Sequence, residues 1–449
     1  MKGIIRHFTI VFIIGASILA ILFVAPLCAS RSSVFSLEDC IAIALRNSPE
    51  IGVAREGVRR EENSLLSSYG ALLPNFSLYF STGHAFFGPS SIQFDAQGRP
   101  VQRDGFDYES YSFGLSSNMV LYDGGENINR IRSSMNSRDA SREDLKYRKD
   151  ITTAMVIRAY YDFVRSKMLF HVQKESMEQA KQSLERVEAL LEVGSATRAD
   201  LLKARVRYSN TRLTMIKSRN AVELAREDLV NLLNINEDRI IDVDTSMVIQ
   251  FVEPDLDRDI QFALVNRSDL KSFDYSMKSA HAGISAAKSG WLPRIGAGFN
   301  YGWSDRKMAD NLNFFKDEYS WSVGVSLSLD IFDRFVTSAN VGTAKVSYRI
   351  AEYNLERAKL DAIREIKGLV FTIRESRERI LVATETVEQA MEDVRLAEER
   401  YRVGAGTMLE TIDAQVAMTQ AKADVIDAKC DYLIAVADLS RATGRRVHH

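Results

Sequence analysis

The sequence predicts a mixed α and β membrane protein with four barrel strands per chain and very long coiled-coil helices. Three observations predict it. The chain carries an internal two-fold repeat, two long windows lack proline, and four short segments alternate apolar with polar residues.

The repeat organises everything else. SLEDCIAIALRNSPEI from Ser36 aligns with DLDRDIQFALVNRSDL from Asp255, pairing Leu37 with Leu256, Ile41 with Ile260, Ala44-Leu45 with Ala263-Leu264 and Asn47 with Asn266. These pairs lie 219 positions apart, as do Leu73-Pro74 and Leu292-Pro293. A shorter connection in the second copy then sets the offset to 210. Gly114 pairs with Gly324, Tyr122-Asp123 with Phe332-Asp333, Val193-Gly194 with Val403-Gly404, Thr197 with Thr407, Ala204 with Ala414 and Leu229 with Leu439. The domains read as a first repeat over 30–234, a linker over 235–254 and a second repeat over 255–449. Each repeat should contain a helical segment, two strands and two long helices.

Proline placement sets the helices. None of the seven prolines falls between Val101 and Glu253 or after Arg294, and proline breaks helix interiors. Glu126–Glu192 and Val336–Arg402 can therefore run as single helices, each roughly 100 Å long at 1.5 Å per residue. In the last helix Leu409, Ile412, Val416, Thr419, Ala423, Ile426, Cys430, Leu433 and Ala437 recur at alternating spacings of 3 and 4, predicting the coiled-coil seam. The matching stripe in the first copy is Leu202, Val206, Ser209, Leu213 and Ile216. Cys430 thus reads as a small buried hydrophobe.

The strands show period 2. In Tyr319–Ile331 every odd position is apolar or aromatic, and every even one is Ser, Gly or Asp. Ile295–Trp303 alternates likewise. In the first copy Phe76, Leu78 and Phe80 form one face, as do Tyr111, Phe113, Leu115, Met119 and Leu121. The polar faces carry little charge. Trp291, Trp303 and Trp321 stand at or near strand ends, as in an interfacial aromatic girdle. Four strands cannot close a barrel, and an open sheet edge cannot sit in lipid. The barrel must be shared between chains, as a dimer, trimer or tetramer.

The N-terminus reads as a signal peptide over residues 1–29: Lys2 and Arg6, then an apolar run from Phe8 to Val24, then Ala-Pro-Leu-Cys-Ala-Ser. Leu27 before Cys28 argues against lipidation and for cleavage near Ala29. A formal net charge of −2 gives no electrostatic case for nucleic acid. Three cysteines and six histidines without ligand spacing point to no metal site or cofactor. No nucleophile motif or phosphate-binding loop stands in a suitable context, so the chain is not read as an enzyme.

The duplicated order, the Leu-Pro before each first strand, the aromatic-Asp pairs and the turns YRVGAGTMLETIDAQ and VGSATRADLLKA together resemble the outer-membrane efflux protein family, the TolC-type channels. The resemblance implies a homotrimer whose twelve-stranded β-barrel continues into an α-helical coiled-coil barrel crossing the periplasm. It also implies a periplasmic adaptor (membrane fusion) protein and an inner-membrane pump of RND, ABC or MFS type, as in efflux or type I secretion. By resemblance, Gly194, Ser195, Ala196, Gly404, Ala405 and Gly406 are adaptor-docking tips. Glu410, Asp413, Tyr401 and Asp200 would line the periplasmic entrance. Gly406 departs from the family pattern, which carries arginine in its best-known members. The alternative is a structural coiled-coil protein of the envelope with no channel.

Overall fold

The computed structural model describes residues 33–88, 93–94, 96–101, 105–235, 241–306 and 319–445. The signal-peptide and Cys28 expectations lie outside these residues. The chain begins with β1 (Ser33–Phe35), α1 (Leu37–Asn47), α2 (Pro49–Gly70) and β2 (Asn75–Phe87). A small pair, β3 (Gln93–Phe94) and β4 (Pro100–Val101), precedes β5 (Phe106–Tyr122), α3 (Glu126–Glu192) and α4 (Arg198–Leu233). After β6 (Ile241–Val243) come α5 (Leu256–Asn266), α6 (Ser268–Lys288), a 3-10 turn at Ser289–Trp291, β7 (Arg294–Asp305) and β8 (Tyr319–Ser328). The chain closes with α7 (Val336–Arg402) and α8 (Met408–Thr443). Helices α3 and α7 each have 67 residues, and α4 and α8 each have 36. The two long helices occupy the proline-free windows, where no backbone donor is missing.

Two compact units interleave along the chain. One comprises residues 1–48, 153–251 and 375–434, the other 49–152, 252–374 and 435–449.

The second unit holds the antiparallel sheet, in the order β2-β5-β7-β8. Its register sorts the side chains by face. Phe80 lies opposite Phe113, Phe113 opposite Trp303, and Trp303 opposite Tyr319. Successive side chains alternate between faces, so Phe76, Leu78 and Phe80, Phe113 and Leu115, Ile295 to Trp303, and Tyr319 to Leu327 share one face at every second position. The opposite face carries Ser77, Ser81, Ser112, Gly114, Ser116, Gly298, Asn300, Gly302, Ser322 and Ser326. Tyr79 is an aromatic on this face, as are Phe87 and Tyr108, which stack near the far end of β2. The Tyr79 ring lies on Gly114, where a Cβ would stand 2.5 Å from the ring and its hydroxyl. One sequence expectation is corrected here. The pairing shifts between Val120 and Tyr122, so Tyr122 opposes Ile295 and Leu121 is the extra residue of a bulge. A bulge re-aims side chains, which period 2 cannot anticipate.

After the strands, each aromatic-Asp pair starts a helix. The Asp123 carboxylate accepts from the Gly125 and Asn127 amides at 3.0 and 2.8 Å, and that of Asp333 accepts from the Thr337 amide at 2.6 Å. These carboxylates satisfy donors that the first turn leaves free. The same unit buries an ion cluster. Arg267, 6% exposed, donates to both Asp269 oxygens, to Glu365 at 2.7 Å and to the Ala442 carbonyl at 3.0 Å. Arg441 donates to the other Glu365 oxygen.

In the first unit, β1 pairs in parallel with β6. A core of Cys40, Ala44, Val156, Tyr160, Phe163, Leu229 and Leu233 lies beside this pair. Asn47 and Asn234 bridge the ends of α1 and α4 through the Leu233 and Asn47 carbonyls. The predicted seam is covered only in part within the chain. Leu409 and Val416 are 52% and 44% exposed, as are Leu202, Val206, Leu213 and Ile216 at 52–58%. In their place Ala414, Ala421 and Ala428 are buried at sevenfold spacing on α8, as are Ala383, Ala390 and Ala397 on α7. Ala390, Met418 and Ala421 share one core, and Thr411 reaches the Ala397 carbonyl at 3.4 Å. Small side chains let two backbones approach, so the close helix pair uses alanines and leaves the larger apolar stripes uncovered. Farther along α8 the predicted seam holds at Ile426 and Cys430. Cys430 is fully buried with its thiol 3.7 Å from the Met247 sulfur, and burial pushes its pKa up to about 11.

Candidate functional site

The two helix turns of the first unit share one geometry. Gly194 and Gly404 both have φ of +74°, where only glycine is unstrained. The amides of Ser195 and Ala196 donate to the Leu190 carbonyl, and those of Ala405 and Gly406 to the Arg400 carbonyl. This closes a helix C-terminus by returning amides to its last carbonyls. Thr197 then caps α4, accepting from the Asp200 amide at 3.1 Å while its hydroxyl donates to the Asp200 carboxylate at 2.6 Å. Thr407 does the same for α8, accepting from Glu410 N at 3.2 Å and donating to its carboxylate at 3.3 Å.

The T-x-x-D spacing gives a capping box at Thr197, and T-x-x-E repeats its hydroxyl bonds at Thr407. Asp200 and Glu410 thus serve helix initiation whatever else they do. Glu410 also lies 3.8 Å from Arg400, while Asp413, one turn on, is exposed. Tyr401 packs with Ile412 on the core of Val187, Ala204 and Met408. Burial raises its phenol above the usual range, and the Asp200 charge adds to this. The structure therefore brings Tyr401 and Asp200 into one electrostatic neighbourhood. Gly406 sits tightly, for a Cβ there would meet Arg400 Cβ at 3.0 Å and Tyr401 N at 3.2 Å. Just past the turns, Leu202, Val206, Leu409 and Ile412 line a groove of about 450 Å³ between α4 and α8, with Arg207 beside them. Arg207 Nε is buried without a hydrogen-bond partner among the described residues.

A second polar cluster escaped the sequence reading. Asp431 on α8 accepts from Arg165 at 2.6 Å and from Arg379, and Asp427 stands 3.7 Å from Arg165. No local spacing links residues from three helices.

The tryptophans divide. Trp303, beside Tyr319, is 8% exposed, whereas Trp321 and Trp291 are 63% and 53% exposed. Trp303 and Trp321 belong to the same end of the β7–β8 ladder, and Trp291 precedes the opposite end of β7. Among the described residues no helix is long and apolar enough to cross a membrane, and no group of His, Cys, Asp or Glu could hold a metal ion.

Residues 40–234 and 260–445 match the family described as Outer membrane efflux protein. The chain belongs to the outer membrane efflux protein family. As a member it is an outer-membrane efflux channel protein, which supports the channel reading over the channel-free structural alternative. Members of the family are channels, not enzymes. The chain is similar to the outer membrane efflux protein BepC of Brucella suis, 20% identical over 91% of this chain and 85% of that one. It is also similar to the alkaline protease secretion protein AprF of Pseudomonas aeruginosa, 22% identical over 93% and 86%. The solved Campylobacter jejuni CmeC outer membrane channel shares the fold with a TM-score of 0.78, at 19% identity over 91% of this chain and 85% of that one.

Proposed function

We propose that three copies of this chain form one export duct. Twelve strands, four from each chain, close a barrel in the outer membrane, and a helical coiled-coil barrel continues it into the periplasm. The observation that carries this reading is the sheet. One face is apolar and most exposed on β2 and β8, the other is mainly Ser, Gly and Asn, and β2 and β8 stand at its edges. Lipid accepts the first face, water in a lumen accepts the second, and only closure with other copies removes the edges. The uncovered stripes of Leu202, Val206, Leu213 and Ile216 support helix packing between copies. Trp291, Trp303 and Trp321 serve as the aromatic girdle, and the repeats over 30–234 and 255–449 follow a cleaved, non-lipidated leader.

Family membership supports a reading of the partners as well. A periplasmic adaptor docks on Gly194, Ser195, Ala196, Gly404, Ala405 and Gly406, and an inner-membrane pump of RND, ABC or MFS type supplies the cargo. Glu410, Asp413, Tyr401 and Asp200 line the entrance. Threefold symmetry gathers the Glu410 and Asp413 carboxylates into a ring that favours cations.

Native mass spectrometry of protein extracted in detergent, with conductance in planar bilayers, tests the reading. A mass of three chains and a cation-selective pore are expected. A stable monomer that retains its strands and passes no current overturns it.

A further inference from the structure

The two repeats fix how one chain meets the next. Shifting β2 by 219 and β5 by 210, the offsets of the aligned sequence, should reproduce the β7–β8 pairing if the repeats are structurally equivalent. It does. Asn75 opposes Asn118, and the shifted pair is Arg294 opposite Ser328, as observed. Tyr79 opposes Gly114, and the shifted pair is Gly298 opposite Gly324, again as observed. The two hairpins are therefore superposable in register, not merely similar in order.

The β5–β7 pairing joins the first hairpin to the second within one chain. Its equivalent joins the second hairpin of one chain to the first hairpin of another, through β8 and β2, the edges of the sheet. Ser116 opposes Asn300 and Gly114 opposes Gly302. Applying the offsets gives Ser326 opposite Ser81 and Gly324 opposite Gly83.

We infer that β8 pairs with β2 of a second copy in the register that places Ser326 opposite the partner copy's Ser81, every pair of numbers summing to 407. This rests on the shared-barrel reading above and deepens it.

An independent property of the sheet agrees. On β8 the apolar face holds odd positions, and on β2 it holds even ones, so faces match across the junction only for an odd sum. A slip of one residue would set Val325 and Leu327 against Ser81 and Tyr79. In the inferred register they meet Thr82 and Phe80, and Leu329 meets Leu78. Leu327 and Leu78 are each 69% exposed in the single chain and Phe80 is 59% exposed, as expected of residues awaiting cross-strand neighbours. The register also accounts for the end of β8. The alternation runs on to Ile331, but pairing with β7 stops at Ser328 because β7 begins at Arg294. The partner strand, starting at Asn75, carries the ladder on through Leu329 and Asp330. The equivalence continues into the following turn, where Gly124 and Gly125 have φ of +69° and +85° and Arg334 and Phe335 have +57° and +68°.

The test is thiol bridging of the full-length protein in native outer membranes. The variant carrying Ser326→Cys with Ser81→Cys is treated with a short thiol-to-thiol linker and run on reducing gels. Covalent species of two and three chains are expected, because opposed Cβ atoms lie about 5 Å apart. Slipped pairs, Ser322→Cys with Ser81→Cys and Ser326→Cys with Ser77→Cys, should bridge at least tenfold less, as should each single variant. Equal or stronger bridging of a slipped pair overturns the register. So does failure of the 326/81 pair in protein that an amine-reactive linker still captures as an oligomer. Monomers with both linkers would overturn the shared barrel itself.

Discussion

Replacing Arg267 with methionine separates what the buried ion cluster contributes from what it costs. Methionine keeps much of the volume and removes the charge. The structure assigns the loss. Asp269, 13% exposed at its side chain, loses a two-oxygen partner, and the Ala442 carbonyl near the end of α8 loses its donor. Glu365 keeps Arg441. An uncompensated buried charge costs about 3–5 kcal/mol. At 1.4 kcal/mol per tenfold, the α8 amides around Ala442 should exchange with deuterium about 100- to 4,000-fold faster if they open locally. Hydrogen exchange with mass spectrometry on the detergent-solubilised protein reads this peptide directly. Adding Asp269→Asn to Arg267→Met should recover part of the protection, because it removes the stranded charge. Acceleration below tenfold, or a double variant worse than the single one, would refute the assignment.

Other outcomes follow from the same geometry. Glu410→Gln keeps an oxygen able to accept from the Thr407 hydroxyl, so it should lower cation selectivity in planar bilayers while leaving α8 intact. Glu410→Ala should lower selectivity and also loosen the first turn of α8, because that hydroxyl loses its acceptor. Unchanged selectivity in the Glu410→Ala, Asp413→Ala double variant rejects the acidic ring. Gly124→Ala, at φ +69° and against Leu292, should reduce thermal stability by more than Gly125→Ala, whose added Cβ meets nothing nearer than 3.7 Å at φ +85°. Left-handed strain alone costs about 1–2 kcal/mol, so equal losses would show that the Leu292 contact is immaterial. Acid should also loosen the Arg267 cluster. Burial alone would raise the Glu365 carboxyl, but hydrogen bonds from Arg441 and Arg267 outweigh it and hold the pKa below the usual range. That stabilisation is complete above the ordinary glutamate value of about 4.3 and is lost as pH falls through the lower folded value. Thermal melts below about pH 4.3 should show it, and Glu365→Gln should flatten that part of the profile.

The sequence by itself determined the elements and their order. Proline absence bounded α3 and α7, because one missing donor and one ring clash suffice to end a helix. Period 2 assigned the strand faces, because the pleat allows only two. The tight turns at Gly194 and Gly404 were legible from glycine alone. Only the tertiary structure decided which of two neighbouring stripes on α8 is covered within the chain. Large apolar residues and alanines both recur there at heptad spacing, and the choice depends on how closely α7 approaches. The bulge at Leu121 was likewise invisible, since one extra residue is defined by the opposing strand. The Arg165–Asp431–Arg379 and Arg267–Glu365–Arg441 clusters join residues far apart in the chain, which no local spacing connects. Glu410 and Asp200 stood in plain view as acids near a turn, but their bonds to Thr407 and Thr197 emerged only with the backbone that places the hydroxyl at the third amide.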